Sequence, residues 1–241
     1  VVSVTAGCHH TTALKLDGTV WTWGLSSSGQ LGNDTITASA IPVQVNSLTG
    51  VTAVSNGHNH TLALKSDGTV WAWGDNTYGQ LGINTTDNST APMQISTLTN
   101  IREIAGGAIH SAAKKADGTV WMWGNNANGQ LGDNTTTDSP VPVQTIPIER
   151  LAIPQIPEAL EIPEPGSMGI AAGAQHTIQL NTDGTVWTWG SNEYGQLGNG
   201  TTVNSSKPVK VNGLIDIAAV AGGGSHSAAL KSDGTVWSWG Y

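Results

Sequence analysis

The chain has 241 residues, with nine Lys and Arg, seventeen Asp and Glu, a formal net charge of −8, 31 Gly, one Cys and no Phe. The acidic balance argues against a nucleic-acid partner, because duplex binding depends on Lys and Arg displacing counterions. The lone Cys8 excludes an intrachain disulfide, and no apolar run is long enough to cross a membrane. Low charge with abundant Gly favours a turn-rich all-β globule over a disordered chain.

The stretch around the second of several repeats shows the predicted elements in chain order. Residues 51–54, 60–65 and 69–73 predict three short strands. The Asp-Gly pair between the last two predicts a type I′ hairpin turn, which needs positive φ at both central residues. A fourth, outer strand is predicted from Pro92, since an edge strand need not donate every N–H.

These elements belong to a unit of about fifty residues that recurs along the chain. The segment Asp-Gly-Thr-Val-Trp-x-Trp-Gly occurs five times and holds all ten Trp, with its Asp at positions 17, 67, 117, 183 and 233. A His precedes each Asp by seven residues, at His10, His60, His110, His176 and His226. Gly-Gln-Leu-Gly follows four of the segments, from Gly29, Gly79, Gly129 and Gly195. Four short strands per unit predict the blades of a β-propeller.

The combination of Ala-Gly-x-x-His-(Ser/Thr), Asp-Gly-Thr-Val-Trp-x-Trp-Gly and Gly-Gln-Leu-Gly resembles the regulator of chromosome condensation repeat family. The resemblance covers nearly the whole chain and implies a propeller, typically of seven blades, which would need roughly 350 residues at this period. A piece of a larger ring, a closed five-bladed ring and self-association that completes a ring all stay open, and we favour the piece. We expect a single propeller domain over 1–241, with repeat cores at 1–24, 51–74, 101–124, 167–190 and 217–240.

The recurring side chains favour structural roles. Mid-strand Trp pairs are expected to fill the core between blades. The His residues are expected to be partly buried and bonded to neighbouring backbone; the alternative is a ring of His that holds a metal or anion. Because no second ligand type recurs beside them, we expect no metal site and no cofactor. Gly-Gln-Leu-Gly lacks the Lys and helix of a phosphate loop, so it predicts a tight turn whose Leu plugs the gap between blades.

Catalysis finds little support in the sequence. Ser, His and Asp are spread by the repetition, and no nucleophile elbow or metalloprotease motif occurs. Cys8 lies beside His9, but adjacent residues on a strand point to opposite faces, so we expect their side chains to diverge. We therefore predict that the protein is not an enzyme.

One linker breaks the repeat. The distance from the outer-strand Pro to the next His is 18 residues in three linkers and 34 between Pro142 and His176, so sixteen residues are inserted within 145–166. Departures from a repeat are where recognition is expected. The insertion is either an acidic, apolar recognition loop or a segment packed on the rim. The candidate partner-binding residues are Ile148, Glu149, Arg150, Ile153, Ile156, Glu158, Leu160, Glu161 and Glu164.

The resemblance implies several activities. Nucleotide exchange on a small nuclear GTPase, with chromatin attachment, belongs to the founding members, but this chain lacks basic attachment segments. A plant ultraviolet-B photoreceptor is similar in fold, yet its sensing Trp and Arg have no counterparts here. A bacterial β-lactamase inhibitor of similar fold is an extracellular binder.

The leading hypothesis is therefore a non-catalytic, protein- or glycan-binding scaffold of a bacterial secreted or cell-surface protein. We expect no nucleic-acid partner and no membrane insertion. The alternative is a cytoplasmic regulatory module of guanine nucleotide exchange-factor type, and a hydrolase on a propeller scaffold ranks third. The first residues, Val-Val-Ser-Val-Thr-Ala-Gly, predict no signal peptide within them.

Overall fold

A computed structural model describes residues 1–147 and 167–241, and every regular element in these ranges is a β-strand. The strands are β1 (Ser3–Ala6), β2 (His10–Leu14), β3 (Val20–Gly24), β4 (Ser39–Gln44), β5 (Val51–Asn56), β6 (His60–Lys65), β7 (Val70–Gly74), β8 (Ser89–Gln94), β9 (Ile101–Gly106), β10 (His110–Lys115), β11 (Val120–Gly124), β12 (Ser139–Gln144), β13 (Ser167–Ala172), β14 (His176–Asn181), β15 (Val186–Gly190), β16 (Ser205–Lys210), β17 (Ile217–Gly222), β18 (His226–Lys231) and β19 (Val236–Gly240).

The strands form five antiparallel sheets, each in simple chain order. Blades 1 to 4 have four strands each (β1–β4, β5–β8, β9–β12 and β13–β16), and blade 5 has β17–β19 within the described residues. The first strands of successive blades pack against one another, which places them around a common axis. The predicted all-β architecture of propeller blades is confirmed, and the outer strands begin three residues before their prolines.

The hairpin inside each blade differs from the predicted type I′ turn. In blade 2, the N–H of Lys65 donates to the carbonyl of Thr69 at 3.0 Å, and the N–H of Gly68 donates to the carbonyl of Lys65 at 2.9 Å. Gly68 has a φ of 79°, whereas Asp67 has no positive φ. The loop therefore has three residues, a type I turn followed by a left-handed Gly. The prediction was wrong because Ser66 also belongs to the loop.

Each interface between blades joins two unlike faces. Between blades 2 and 3, Leu64, Val70 and Ala72 of one blade pack against Trp123 and Ala113 of the next. The other three interfaces repeat this pairing. Burial of large apolar side chains on both faces is what holds neighbouring sheets together.

The prediction that Trp residues form the core is confirmed for part of the set. The second Trp of the pair is fully buried in blades 2, 3 and 4, at Trp73, Trp123 and Trp189. The first Trp of each pair in blades 1 to 4 is half-buried and donates its indole N–H to a Thr hydroxyl of the hairpin. In blade 5 the prediction was wrong for Trp237, which is 53% exposed because no further blade or outer strand covers it among the described residues.

The Gly-Gln-Leu-Gly turns pack between neighbouring blades, as predicted. Leu81 is fully buried in the interface between blades 2 and 3. Gly82 has a φ of 71°, and a Cβ at this position would lie 2.8 Å from the indole nitrogen of Trp123. Only glycine combines that backbone conformation with so close an approach.

Candidate functional site

Each blade interface contains one buried polar network. Between blades 2 and 3, Ser111 donates its hydroxyl to the carbonyl of Gln80 at 2.8 Å, and Trp123 donates its indole N–H to the same carbonyl at 2.8 Å. His60 Nε2 lies 2.9 Å from the Ser111 hydroxyl. Because that hydroxyl has given its proton to Gln80, we infer that His60 donates from Nε2. The matching His-to-hydroxyl distances are 3.0 Å for His10–Thr61, 3.2 Å for His110–Thr177 and 2.9 Å for His176–Ser227.

These contacts correct the expected role of the histidines. Their rings bond a hydroxyl of the next blade, where a bond to neighbouring backbone was expected. The glycine of Ala-Gly-x-x-His makes room for the ring, since a Cβ on Gly57 would collide with His60. Burial lowers the pKa of His60 and of His110 to about 3, so both are neutral at pH 7. His226 of blade 5 is exposed.

Within residues 1–147 and 167–241 no group of three or more His, Cys, Asp or Glu is placed to hold a metal ion. The expectation for Cys8 and His9 was wrong, because the thiol sulfur lies 3.5 Å from His9 Nε2. Both residues lie in the bend between β1 and β2 rather than on a strand, so their side chains can meet. Both are exposed.

Antiparallel strands in every blade bring two sets of loops to one end of the propeller. We call this end the upper face, and the opposite end, with the Asp-Gly hairpins, the lower face. The upper face comprises residues 7–9, 25–38, 57–59, 75–88, 107–109, 125–138, 173–175, 191–204, 223–225 and 241.

The upper face has only one sign of fixed charge. It contains no Lys or Arg. Its acidic residues are Asp34, Asp75, Asp87, Asp133, Asp138 and Glu193. All three tyrosines of the chain, Tyr78, Tyr194 and Tyr241, lie on the same face and are exposed. The rings of Tyr194 and Tyr241 are 5.3 Å apart between centroids. Aromatic and acidic side chains therefore share one solvent-facing surface.

The lower face mixes both signs of charge. Lys15, Lys65 and Lys231 pair with the hairpin carboxylates Asp17, Asp67 and Asp233 at 3.7 to 3.9 Å. Lys15, Lys65 and Lys115 also lie over the first Trp of their blades, at 5.3, 5.7 and 4.3 Å from the ring centroid. Each of these hairpin Asp residues also accepts hydrogen bonds from the Thr two residues later, which lower its pKa. These Lys and Asp charges are thus paired within their own hairpins.

A cavity of about 320 Å³ lies on the axis, where the first strands of all five blades end at the upper face. Its wall is mostly backbone, tied together from blade to blade by bonds such as Cys8 N–H to the His58 carbonyl at 3.0 Å. Asn56 also lines the cavity, is 9% exposed, and has an Oδ1 with no hydrogen-bond partner among the described residues. The matching residues of the other blades are Ala6, Gly106, Ala172 and Gly222.

The candidate binding residues of the insertion, at positions 148 to 164, lie outside the described residues. The described flanks are the end of β12 and the start of β13, at the lower face. Near the second flank, the Glu103 carboxylate accepts a hydrogen bond from the N–H of Ile170 at 3.2 Å and pairs with buried Lys114. Lys114 stands where blades 1, 2, 4 and 5 have Leu. The pair was not predicted from the sequence, although a Lys at a strand position that is otherwise apolar could have indicated it.

Comparison with known proteins decides the family. The family model described as the RCC1-like domain matches residues 1–241. The chain belongs to the RCC1-like domain family. This match confirms the expected resemblance to the regulator of chromosome condensation repeat. Members of the family are β-propellers that act as protein-interaction scaffolds.

Solved structures share the fold of this chain. Human WBSCR16 superposes with a TM-score of 0.81 and 26% identity, over 96% of this chain and 58% of its own. Yeast RCC1 (Prp20), solved bound to Kap60, gives a TM-score of 0.73 and 21% identity, over 99% of this chain and 69% of its own.

Among curated proteins, the human E3 ubiquitin-protein ligase HERC2 is 47% identical over 45 residues, which is 19% of this chain and 1% of the ligase. The Drosophila melanogaster ligase highwire is 50% identical over 42 residues, or 17% of this chain and 1% of its own length. This RCC1-like chain therefore spans part of the length of the relatives that it matches.

Proposed function

We propose that this RCC1-like chain is a non-catalytic module that binds a protein or glycan partner on its surface. The single observation that carries the proposal is the upper face, where loops from all five blades surround one axial cavity. The recurring His, Ser, Thr and Trp side chains, which could otherwise serve catalysis, are engaged in the blade interfaces. What remains available for recognition is loop surface on a rigid scaffold.

We propose that the insertion between β12 and β13 adds a second contact with the partner. Its candidate side chains, such as Ile148, Glu149 and Arg150, combine apolar and charged groups that suit a protein partner. The test is capture of partners by purified chain 1–241 beside a copy that lacks residues 146–165. A partner held only by the intact chain supports the insertion as a binding segment. Equal capture by both assigns binding to the repeated loops, and capture by neither contradicts the interaction role.

A regulatory module of guanine nucleotide exchange-factor type is the second candidate. It is supported by the likeness to Prp20p of Saccharomyces cerevisiae, a structure described with its binding properties to Gsp1p and histones. The likeness has a TM-score of 0.70 and 23% identity, over 99% of this chain and 71% of that one. The test is release of a fluorescent guanine nucleotide from a small GTPase. Release accelerated by catalytic amounts of the chain supports this candidate, and an unchanged rate excludes it for that GTPase.

We propose a secreted or cell-surface location for the parent protein. Few Lys and Arg and loops rich in Asn and Thr support it. The described residues contain no helix that is both long and apolar enough to cross a membrane. Fractionation of producing cells, followed by immunodetection, tests the location. Signal in the medium or at the surface supports it, and signal confined to the cytosol contradicts it.

We propose that the chain can also associate with itself to complete the ring, with a second copy packed on the outward side of blade 5. Val236 is 71% exposed there, whereas the matching Val186 of blade 4 is fully buried against the next blade. An apolar sheet face of this kind favours burial by another blade. Sedimentation velocity over a range of concentrations should show association, and Val236→Asp should abolish it. A monomer at all concentrations contradicts the proposal.

A further inference from the structure

We propose that the upper face binds a lysine-rich polypeptide segment and that the axial cavity takes one of its ammonium groups. This inference rests on the proposed interaction role and names the partner chemistry. Three features of the described residues support it: the single sign of charge, the exposed aromatic side chains, and an unpaired acceptor in the cavity wall.

The charge of the upper face selects for cations. Asp34, Asp87, Asp138 and Glu193 are exposed there, and no described Lys or Arg lies among the loops to neutralise them. A surface lined by one sign of charge concentrates ligands of the opposite sign and raises their association rate. A neutral glycan would gain nothing from this arrangement, and an acidic partner would be repelled. The same field disfavours anions in the axial cavity.

Tyrosines supply contact area beside the carboxylates. Tyr78 and Tyr194 occupy equivalent positions in blades 2 and 4, and the ring of Tyr241 lies beside that of Tyr194. Exposed tyrosine rings are preferred anchors in protein interfaces and attract ammonium and guanidinium groups to their faces. A peptide that carries Lys between small residues can contact the rings and the carboxylates together.

The axial cavity supplies a specific site within this surface. Its 320 Å³ exceed the volume of a lysine side chain, and its glycine-lined wall leaves the centre open. Asn56 is the one described wall residue with a side-chain amide. Its Nδ2 donates to the Thr5 carbonyl of blade 1 at 3.2 Å, and its buried Oδ1 has no partner among the described residues. An unpaired buried acceptor is costly, and we infer that a small rotation of the Asn56 side chain lets an ammonium group in the cavity donate to it. Cys8 and His58, also at the wall, leave that oxygen unpaired.

The experiment measures binding of a fluorescein-labelled decapeptide of alternating Lys and Gly to the full chain by anisotropy. An acetylated-lysine version and a Glu version of the peptide serve as ligand controls. The upper-face variant is Asp87→Asn/Asp138→Asn/Glu193→Gln. The matched control, Asp17→Asn/Asp67→Asn/Asp233→Asn, removes the same charge from the lower face. Asn56→Ala tests the cavity, and blades 1 and 4 already carry Ala at that position.

The upper-face variant is expected to lower affinity for the Lys peptide about tenfold at low salt, and the lower-face variant less than about twofold. Asn56→Ala is expected to lower the affinity about fivefold, with only a small fall in the unfolding midpoint from loss of the Asn56 Nδ2 bond to the Thr5 carbonyl. Acetylation of the peptide should abolish binding, since it removes the ammonium charge.

Equal losses from both triple variants would overturn the inference, because binding would then follow net charge alone. Absence of Lys-peptide binding, or stronger binding of a neutral oligosaccharide that the upper-face variant weakens, would also overturn it. If the capture experiment finds a partner whose binding ignores the upper-face variant, the proposed interaction role stands and this inference fails. If no partner is captured and the Lys peptide does not bind, the proposed interaction role and this inference both fail.

Discussion

The interior of the propeller and its upper face come from the same repeats but follow opposite rules. At the blade interfaces the residues recur: a His, a hydroxyl, a Gln carbonyl and a Trp meet in the same way four times. On the upper face matched positions differ, so that Ser28, Tyr78, Asn128 and Tyr194 occupy one site in four blades. Packing density and hydrogen-bond saturation constrain the interior, whereas solvent-facing positions are free to vary and to recognise a partner.

The largest effect is expected in the interior. Trp123→Ala removes a fully buried side chain and its bond to Gln80, and should lower the free energy of unfolding by about 3–5 kcal/mol. Urea denaturation measures this value. Trp237→Ala, in the exposed first position of blade 5, is the control and should change it far less. Similar losses for the two variants would contradict the packing described for the interfaces.

The second effect is a pH dependence of stability from the buried histidines. The pKa of His60 is about 3 in the folded chain and 6.5 as the reference value, so the unfolded chain takes up the proton first. The free energy of unfolding should be highest above pH 6.5 and should fall as the pH decreases toward 4. His60→Gln should reduce this slope by about 1.4 kcal/mol per pH unit. Denaturation between pH 7 and 4 tests it, and a variant with the original slope contradicts it. Exposed His226→Gln is the control.

A smaller effect is expected from the turn glycines. Gly82→Ala combines a φ of 71° with a Cβ placed 2.8 Å from the Trp123 indole, and should lower the free energy of unfolding by roughly 2–3 kcal/mol. Gly195→Ala has a φ of 77° but nothing within 4 Å of its Cβ, so backbone strain alone should cost about 1 kcal/mol. Thermal unfolding ranks the two variants. A larger loss at Gly195 would show that close packing against the indole is not what fixes Gly82.

The smallest stability effect is expected on the upper face. Asp138→Asn should change the free energy of unfolding by less than about 0.5 kcal/mol, because exposed substitutions seldom exceed this. Blades 2 and 4 already carry Asn88 and Asn204 at the same position, with the same acceptor bond to a loop N–H. Differential scanning calorimetry checks the value. A loss comparable to that of Trp123→Ala would mean that the upper face is structural.

The fold could be predicted from the sequence because it depends on residues that recur in register. The five Asp-Gly-Thr-Val-Trp segments locate three strands each, and the outer-strand prolines locate the fourth. The turn type could not be derived from the Asp-Gly dipeptide, since the length of the loop depends on which flanking residues form backbone hydrogen bonds with each other. The hydroxyl partner of each His lies in the next blade, 51 or 67 residues away, so local pattern gives no signal for it.

The candidate site was only partly accessible to sequence reasoning. The insertion was visible as a break in spacing, and its residues remain a prediction. The upper face required the strand directions, which bring Asp34, Asp87, Asp138 and Glu193 to one end. Asn56 stands out only once the cavity and its Ala and Gly neighbours are known. The difference in charge between the upper-face and lower-face loops could have been counted from the sequence once the order of the strands in a blade was assumed.

Hydrogen exchange of the chain with and without the Lys peptide tests the central claim most directly. The account predicts slower amide exchange in the upper-face loops, above all at 75–88 and 191–204, and around Asn56. Exchange in the Asp-Gly hairpins of the lower face should not change. Protection confined to those hairpins, or spread evenly over both faces, would contradict the claim that recognition belongs to the upper face.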